Sequence, residues 1–191
     1  MKINEERSRN SCILIMIIKQ NHHIETVLQQ YKSYLKSDFH TYKNHVYRVL
    51  NIAYLLDVLP ENIDKYAIAG VFHDVGIWTH SFDYLEPSIE LAQEYLVKIG
   101  KEEWIEEMSL MIDNHHKISR YSKKFSQTVE TFRKADWIDV SMGILLFGFE
   151  RSNFKMIKKA FPTVGFHRFL IKQVFKYFLK HPFNPLPMFK R

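Results

Sequence analysis

One cysteine, Cys12, is too few for an internal disulfide and suits a reducing compartment. Six glycines among 191 residues argue against a turn-rich β-sandwich or a glycine-loop nucleotide fold. No apolar run is long enough to cross a bilayer. The longest near the start, Cys12–Ile18, has seven residues where a span needs roughly 20. It is followed by Lys19-Gln-Asn-His-His23 rather than by a small-residue cleavage site. We read it as a strand or helix turn packing on the body, or as an extension ahead of a start at Met16, and expect a cytoplasmic protein. Acidic residues are missing altogether after Glu150. Positions 151–191 hold ten Lys or Arg, so the overall +6 hides a body of seventeen basic and twenty-one acidic residues, net −4. Such asymmetry either marks an anionic partner or is a solvated helix face plus a tail. The second reading is preferred.

What is present is an ordinary globular balance, 46% apolar and 25% charged, with helical periodicity almost throughout. Over 41–58, Val46, Val49, Leu50, Ala53 and Leu56 form one stripe, while Tyr47, Asn51 and Tyr54 fall off it. Pro60 opens a second helix, expected to run to about Val75 and to end at Gly76. A loop over Ile77–Glu86 precedes a helix opened by Pro87 and closed by Gly100. Trp104, Ile105, Met108 and Ile112 organise a helix reaching His115-His116, and the basic loop Lys117–Lys124 follows. Val129, Phe132 and Asp136 share the face of the next helix. A last helix over about 166–181 carries Lys172, Lys176 and Lys180 outward, before a Pro-rich tail that cannot continue it. The expected fold is all-α, an irregular helical bundle. A short extension (1–20) and the tail (182–191) flank a single domain over 21–181.

Four positions carry metal-type side chains on buried faces or ends of these helices. His45 lies on an inward stripe with Arg48 one turn later, His73-Asp74 closes the second helix, and Asp136 points at the core. A buried aspartate is costly unless paired or bound to a cation. Two imidazoles with two carboxylates suit a divalent ion without selecting among Mn, Fe, Co, Ni, Zn and Mg.

The motifs His45-x-x-Arg48-Val, Phe72-His73-Asp74-Val-Gly76, Asn114-His115-His116 and Lys134-Ala-Asp136-Trp-Ile-Asp139 resemble the HD superfamily of metal-dependent phosphohydrolases over about 41–140. The resemblance implies an all-α HD-type fold with a divalent metal at His45, His73, Asp74 and Asp136. It also implies hydrolysis of a small phosphate ester, commonly a nucleotide. Metal-activated water would attack, with Asp74 orienting it or taking its proton. Arg48 either grips the substrate phosphate with its rigid fork or forms a salt bridge to Asp139 or Asp74. His115, His116, His80 and Asp139 are the further candidates for substrate contact. Binuclear relatives place a histidine where Ser88 stands here, which points to one tightly bound ion. A glutamate common after the doublet in nucleoside-monophosphate types is absent, as is the Gly-Tyr-Pro run of cyclic-dinucleotide types.

Two rivals remain on this reading, an HD-type di-iron oxygenase and a non-catalytic regulatory or binding module. No zinc finger, RNP-like strand or helix-turn-helix signature supports a nucleic-acid partner. Self-association into a homo-oligomer stays open.

Overall fold

The computed structural model describes residues 16–79 and 84–165. His80, the helix expected over 166–181 with its three lysines, the tail and most of the apolar N-terminal stretch lie outside those residues.

Among the described residues every regular element is helical, and no helix is long and apolar enough to cross a membrane. The order is α1 (His22–Gln30), α2 (Lys32–Leu35), α3 (Phe39–Leu56), α4 (Ile63–Phe72), α5 (Gly76–Thr79), α6 (Leu85–Lys98), α7 (Ile105–Asn114), α8 (Ser126–Val140) and α9 (Arg151–Ala160). Asn21 caps α1 by accepting from the N–H groups of His23 and Ile24, and Ile24, Val27 and Leu28 turn inward. Pro60 opens a 3-10 turn that feeds α4. Gly100, at φ +67°, ends α6, with Lys101 N–H bonding the Leu96 carbonyl.

α3 is the axis of the bundle, packed by α4, α8 and α9 and by the segment that leads into α1. That is why Tyr47 and Asn51, off the expected stripe, are nonetheless fully buried. Asn51 Oδ1 accepts from Ile18 N–H at 2.7 Å and its amide donates to Ile18 O at 2.9 Å, so one side chain satisfies an extended backbone residue. Tyr47 hydroxyl donates to Glu25 and accepts from Asn21 N–H. A core helix ringed by neighbours has more than one inward face, which a single-stripe reading underestimates.

Two other expectations change. Gly76 does not cap the second helix. α4 stops at Phe72, His73–Val75 form a turn, and Gly76 starts α5. The position needs glycine for room, since a Cβ there would lie 2.5 Å from Tyr84 O and 2.7 Å from Ser88 Oγ. α9 was not expected at all. It is short and built on only two buried apolar residues, Phe154 and Ile157.

Candidate metal centre

α3, the α4–α5 turn, the end of α7 and α8 each deliver part of one buried pocket. His45 and Arg48 come from the middle of α3, His73-Asp74 from the turn after α4, His115 from just beyond α7, and Asp136 and Asp139 from successive turns of α8. All seven are at most 4% exposed. The turn is a direct product of the local sequence. His73 N–H still bonds Ala69 O as the last helical donor, and Gly76 N–H is taken by Ser88 Oγ at 3.1 Å, which draws α6 against the turn.

The imidazoles are held by their Nδ1 atoms. Nδ1 of His45 meets Asp139 Oδ2 at 2.7 Å, Nδ1 of His73 meets Gly70 O at 2.8 Å, and Nδ1 of His115 meets Ile112 O at 2.6 Å. Carboxylate and carbonyl oxygens only accept, so each Nδ1 carries a proton and each Nε2 is the nitrogen turned to the cluster. Nε2 of His45 and Nε2 of His73 stand 3.1 Å apart. Asp74 Oδ2 is 3.2 Å from His73 Nε2 and 3.9 Å from His45 Nε2, and Asp136 Oδ1 is 3.6 Å from both. His115 Nε2 lies 3.6 Å from Asp74 Oδ1.

Asp74 Oδ1, Asp136 Oδ1 and His115 Nε2 are buried without a hydrogen-bond partner. Buried orphan acceptors are rare because they lose hydration and gain nothing in return. A cation among them would remove that penalty, and the donor set, imidazole nitrogen plus carboxylate oxygen, fits a divalent ion. Three overlapping groups have the required convergence: His45, His73 and Asp136; His73, Asp74 and His115; and His115, His116 and Asp136. The electrostatics agree. Burial pulls the His73 pKa down, but the carboxylates of Asp74 and Asp136 outweigh it and push it up to about 10, so a proton on Nε2 supplies the missing positive charge. Asp74 and Asp136 are held below the usual carboxylate range by the neighbouring histidines, against the opposing effect of burial.

Arg48 faces elsewhere. Its Nε donates to Asp139 Oδ1 at 2.6 Å and Nη2 to Oδ2 at 2.9 Å, while Nη1 donates to the carbonyls of Phe161 and Pro162. Of the two roles given for it, the geometry presents the ion pair with Asp139. Asp139 in turn bridges the His45 ring and the Arg48 guanidinium. Burial opposes ionisation of Asp139, but Arg48 and His45 keep its pKa well below the usual range. His116 is half-buried, and its Nε2 meets the Tyr84 hydroxyl at 2.7 Å. Burial and the adjacent His115 lower its pKa to about 3, so the ring that meets the hydroxyl is neutral. Ser88 works for the backbone, as described, and is fully buried. Tyr84 went unpredicted, since an isolated tyrosine at a helix start carries no signal for a site.

Residues 42–141 match the model of the HD domain family, more than half of the chain. The chain belongs to that family, whose members are mostly metal-dependent hydrolases. No curated protein and no solved structure matches it.

Proposed function

We propose that this chain is a metal-dependent phosphohydrolase acting on a small phosphate ester, most simply a nucleotide. The observation that supports it is the convergence of orphaned acceptors, Asp74 Oδ1, Asp136 Oδ1 and His115 Nε2, beside two facing Nε2 atoms in an HD-family pocket. One divalent ion would be held by His45, His73, Asp74 and Asp136. When bound, such an ion lowers the pKa of a water toward neutrality and polarises a phosphoryl oxygen. Asp74, whose Oδ1 lacks a hydrogen-bond partner, accepts a proton from the attacking water and orients it. Water attacks phosphorus, the P–O bond to the ester oxygen breaks, and a proton passes to the leaving alcohol. His115 and His116 line the side on which substrate would bind. Arg48 is assigned as a positioning residue, acting through Asp139 on His45, instead of a phosphate ligand.

We place a single tightly held ion. A second ion would have to share Asp136 with the first and add His115 and His116, and His116 Nε2 is already engaged by Tyr84. Full occupancy of two ions would favour the oxygenase alternative.

The test combines ion content, thermal stability and a screen of phosphate esters and nucleotides with Mn, Co, Ni and Mg. An ion at 100 times its Kd should stabilise the wild type by about 2.7 kcal/mol. Asp74→Ala and His73→Ala should lose that gain, the ion and the hydrolysis together. Equal ion retention in Asp74→Ala would refute the ligand assignment. A wild type that binds the ion but hydrolyses nothing with any of the metals would transfer the chain to the binding-module or oxygenase reading.

A further inference from the structure

The loop between α8 and α9 exposes apolar side chains that the bundle could have buried. Ile144 is 75% exposed, Met142 49%, Leu145 44% and Phe147 40%, and Ile118 across from them 61%. Contiguous exposure of this kind marks an interaction surface, where scattered single residues do not. The loop is anchored underneath. Leu146 and Phe149 turn into the core, and Gly143 lies so close to the Phe154 ring that a Cβ would sit 2.7 Å from it. Met142 and Phe147 hold left-handed backbone at φ +56° and +48°, a conformation that bulky side chains avoid. The loop is thus built to hold these groups outward.

One buried guanidinium joins the two halves of the patch. Arg133, clamped by both carboxylate oxygens of Glu130 at 2.8 Å, donates to Lys117 O at 3.0 Å and lies 5.3 Å from the centre of the Phe147 ring. Ile118 follows directly. The surroundings are cationic. Positions 117–124 carry Lys117, Arg120, Lys123 and Lys124 without an acidic residue, and Lys124 pairs with Glu106. α9, which presses Phe154 on the loop, adds Arg151, Lys155, Lys158 and Lys159, again without an acid inside the helix.

We propose that this loop is a membrane-docking surface, inserting Ile144, Leu145 and their neighbours into the interface of an anionic phospholipid bilayer while the basic rim meets the headgroups. Apolar groups framed by Lys and Arg are the chemistry such interfaces take. A protein partner fits less well, because five side chains fall short of the roughly 800 Å² per partner of a stable protein interface. A second copy would also set two cationic rims against each other. Ile118 is two residues from His116, so docking brings the edge of the pocket to the bilayer. The surface stands independently of the reaction proposed above.

Sedimentation of the full chain with phosphatidylcholine vesicles, with and without phosphatidylserine, tests this. Wild type should bind the serine-containing vesicles and release as salt is raised. Ile144→Ser with Leu145→Ser should weaken binding at least about tenfold, given the transfer free energy of such side chains. Arg120→Glu with Lys123→Glu should cost roughly fivefold or more per residue. Both variants should melt with the wild type, since the altered side chains are exposed; if the double serine variant does not, Ile144→Ser alone replaces it. Absence of binding would overturn the proposal. So would binding that survives the apolar substitutions, which would belong to basic residues elsewhere, or self-association that those substitutions relieve, which would make the loop a subunit interface.

Discussion

Arg48 and Asp139 are the residues whose chemistry matters most beyond the four proposed ligands. Asp139 is fully buried, accepts the N–H of the His45 ring and takes two bonds from the Arg48 fork. Partners of this kind, one bond removed from a metal, set ring orientation and typically govern 10- to 100-fold in affinity. Asp139→Asn should therefore weaken ion binding by about 10- to 100-fold. It should also destabilise the fold by about 3–5 kcal/mol, because it strands a buried guanidinium. Arg48→Ala should lose stability as well, along with the tie to Phe161 and Pro162. Arg48→Lys should fail to rescue it, since an ammonium cannot make the paired fork contact. Denaturant unfolding and ion calorimetry on the three variants decide the matter. An Arg48→Ala chain with native stability and ion affinity but no turnover would return the arginine to the substrate. From sequence, His45, His73, Asp74 and Asp136 were legible as a set, because each falls on a buried face or helix end. The salt bridge from Arg48 to Asp139 was one of the alternatives read there, but the bond from Asp139 to the His45 ring was not legible. That contact spans 94 positions of sequence, and helical register does not name it.

Among the elements, the short α4–α5 turn sets the geometry of the doublet, and Gly76 lets α6 press against it. The missing Cβ leaves Tyr84 O and Ser88 Oγ close enough for the Gly76 N–H to be satisfied. Gly76→Ala must push that backbone away, and overpacking of this sort costs about 1–3 kcal/mol. Ion affinity should fall with it, because Asp74 is two residues away. Ser88→Ala should be milder, near 1 kcal/mol for one lost acceptor (about 1 ± 0.5). A Gly76→Ala chain as stable as wild type, by denaturant titration, would show the contact to be slack. The glycine itself stood out in the sequence, but as a helix stop. Its actual role is close approach, which depends on where α6 lies. α3 teaches the same point from the other side. Its stripe was readable, yet burial of Tyr47 and Asn51 came from the α1 lead-in segment closing over a face that periodicity assigns to solvent.

For the molecule as a whole, several ion pairs share one pH dependence. Glu25 on α1 is bound by Lys43 and Tyr47 of α3, Glu130 by Arg133 and the Tyr121 N–H, and Asp139 by Arg48 and His45. In each, burial favours the neutral acid, but the cationic and N–H or O–H partners prevail and lower the pKa. A carboxylate with a depressed folded-state pKa contributes its stability above the unfolded value and loses it as pH falls through the folded one. The ordinary values are 4.5 for the glutamates and 3.8 for the aspartate. The melting temperature should accordingly start to fall below pH 4.5 and continue downward. A melting temperature that stays flat to pH 3, read by circular dichroism, would mean these pairs add little, since about pH 3 lies below the usual carboxylate values.

The all-helical class, the order of the main helices and the four ligand candidates were determined by the amino-acid order alone. Apolar spacing dictates which face of a helix turns inward, and a histidine or aspartate on that face is conspicuous. Only the tertiary structure decided what those side chains contact once inside. It paired Arg48 with Asp139, gave Ser88 to a backbone N–H, and brought His115 to Asp74. It also left three acceptor atoms facing one another without donors. Register along one helix specifies a direction, whereas a hydrogen-bond partner or a shared ion is specified by where a second helix lies, and that is settled by the packing of the whole bundle.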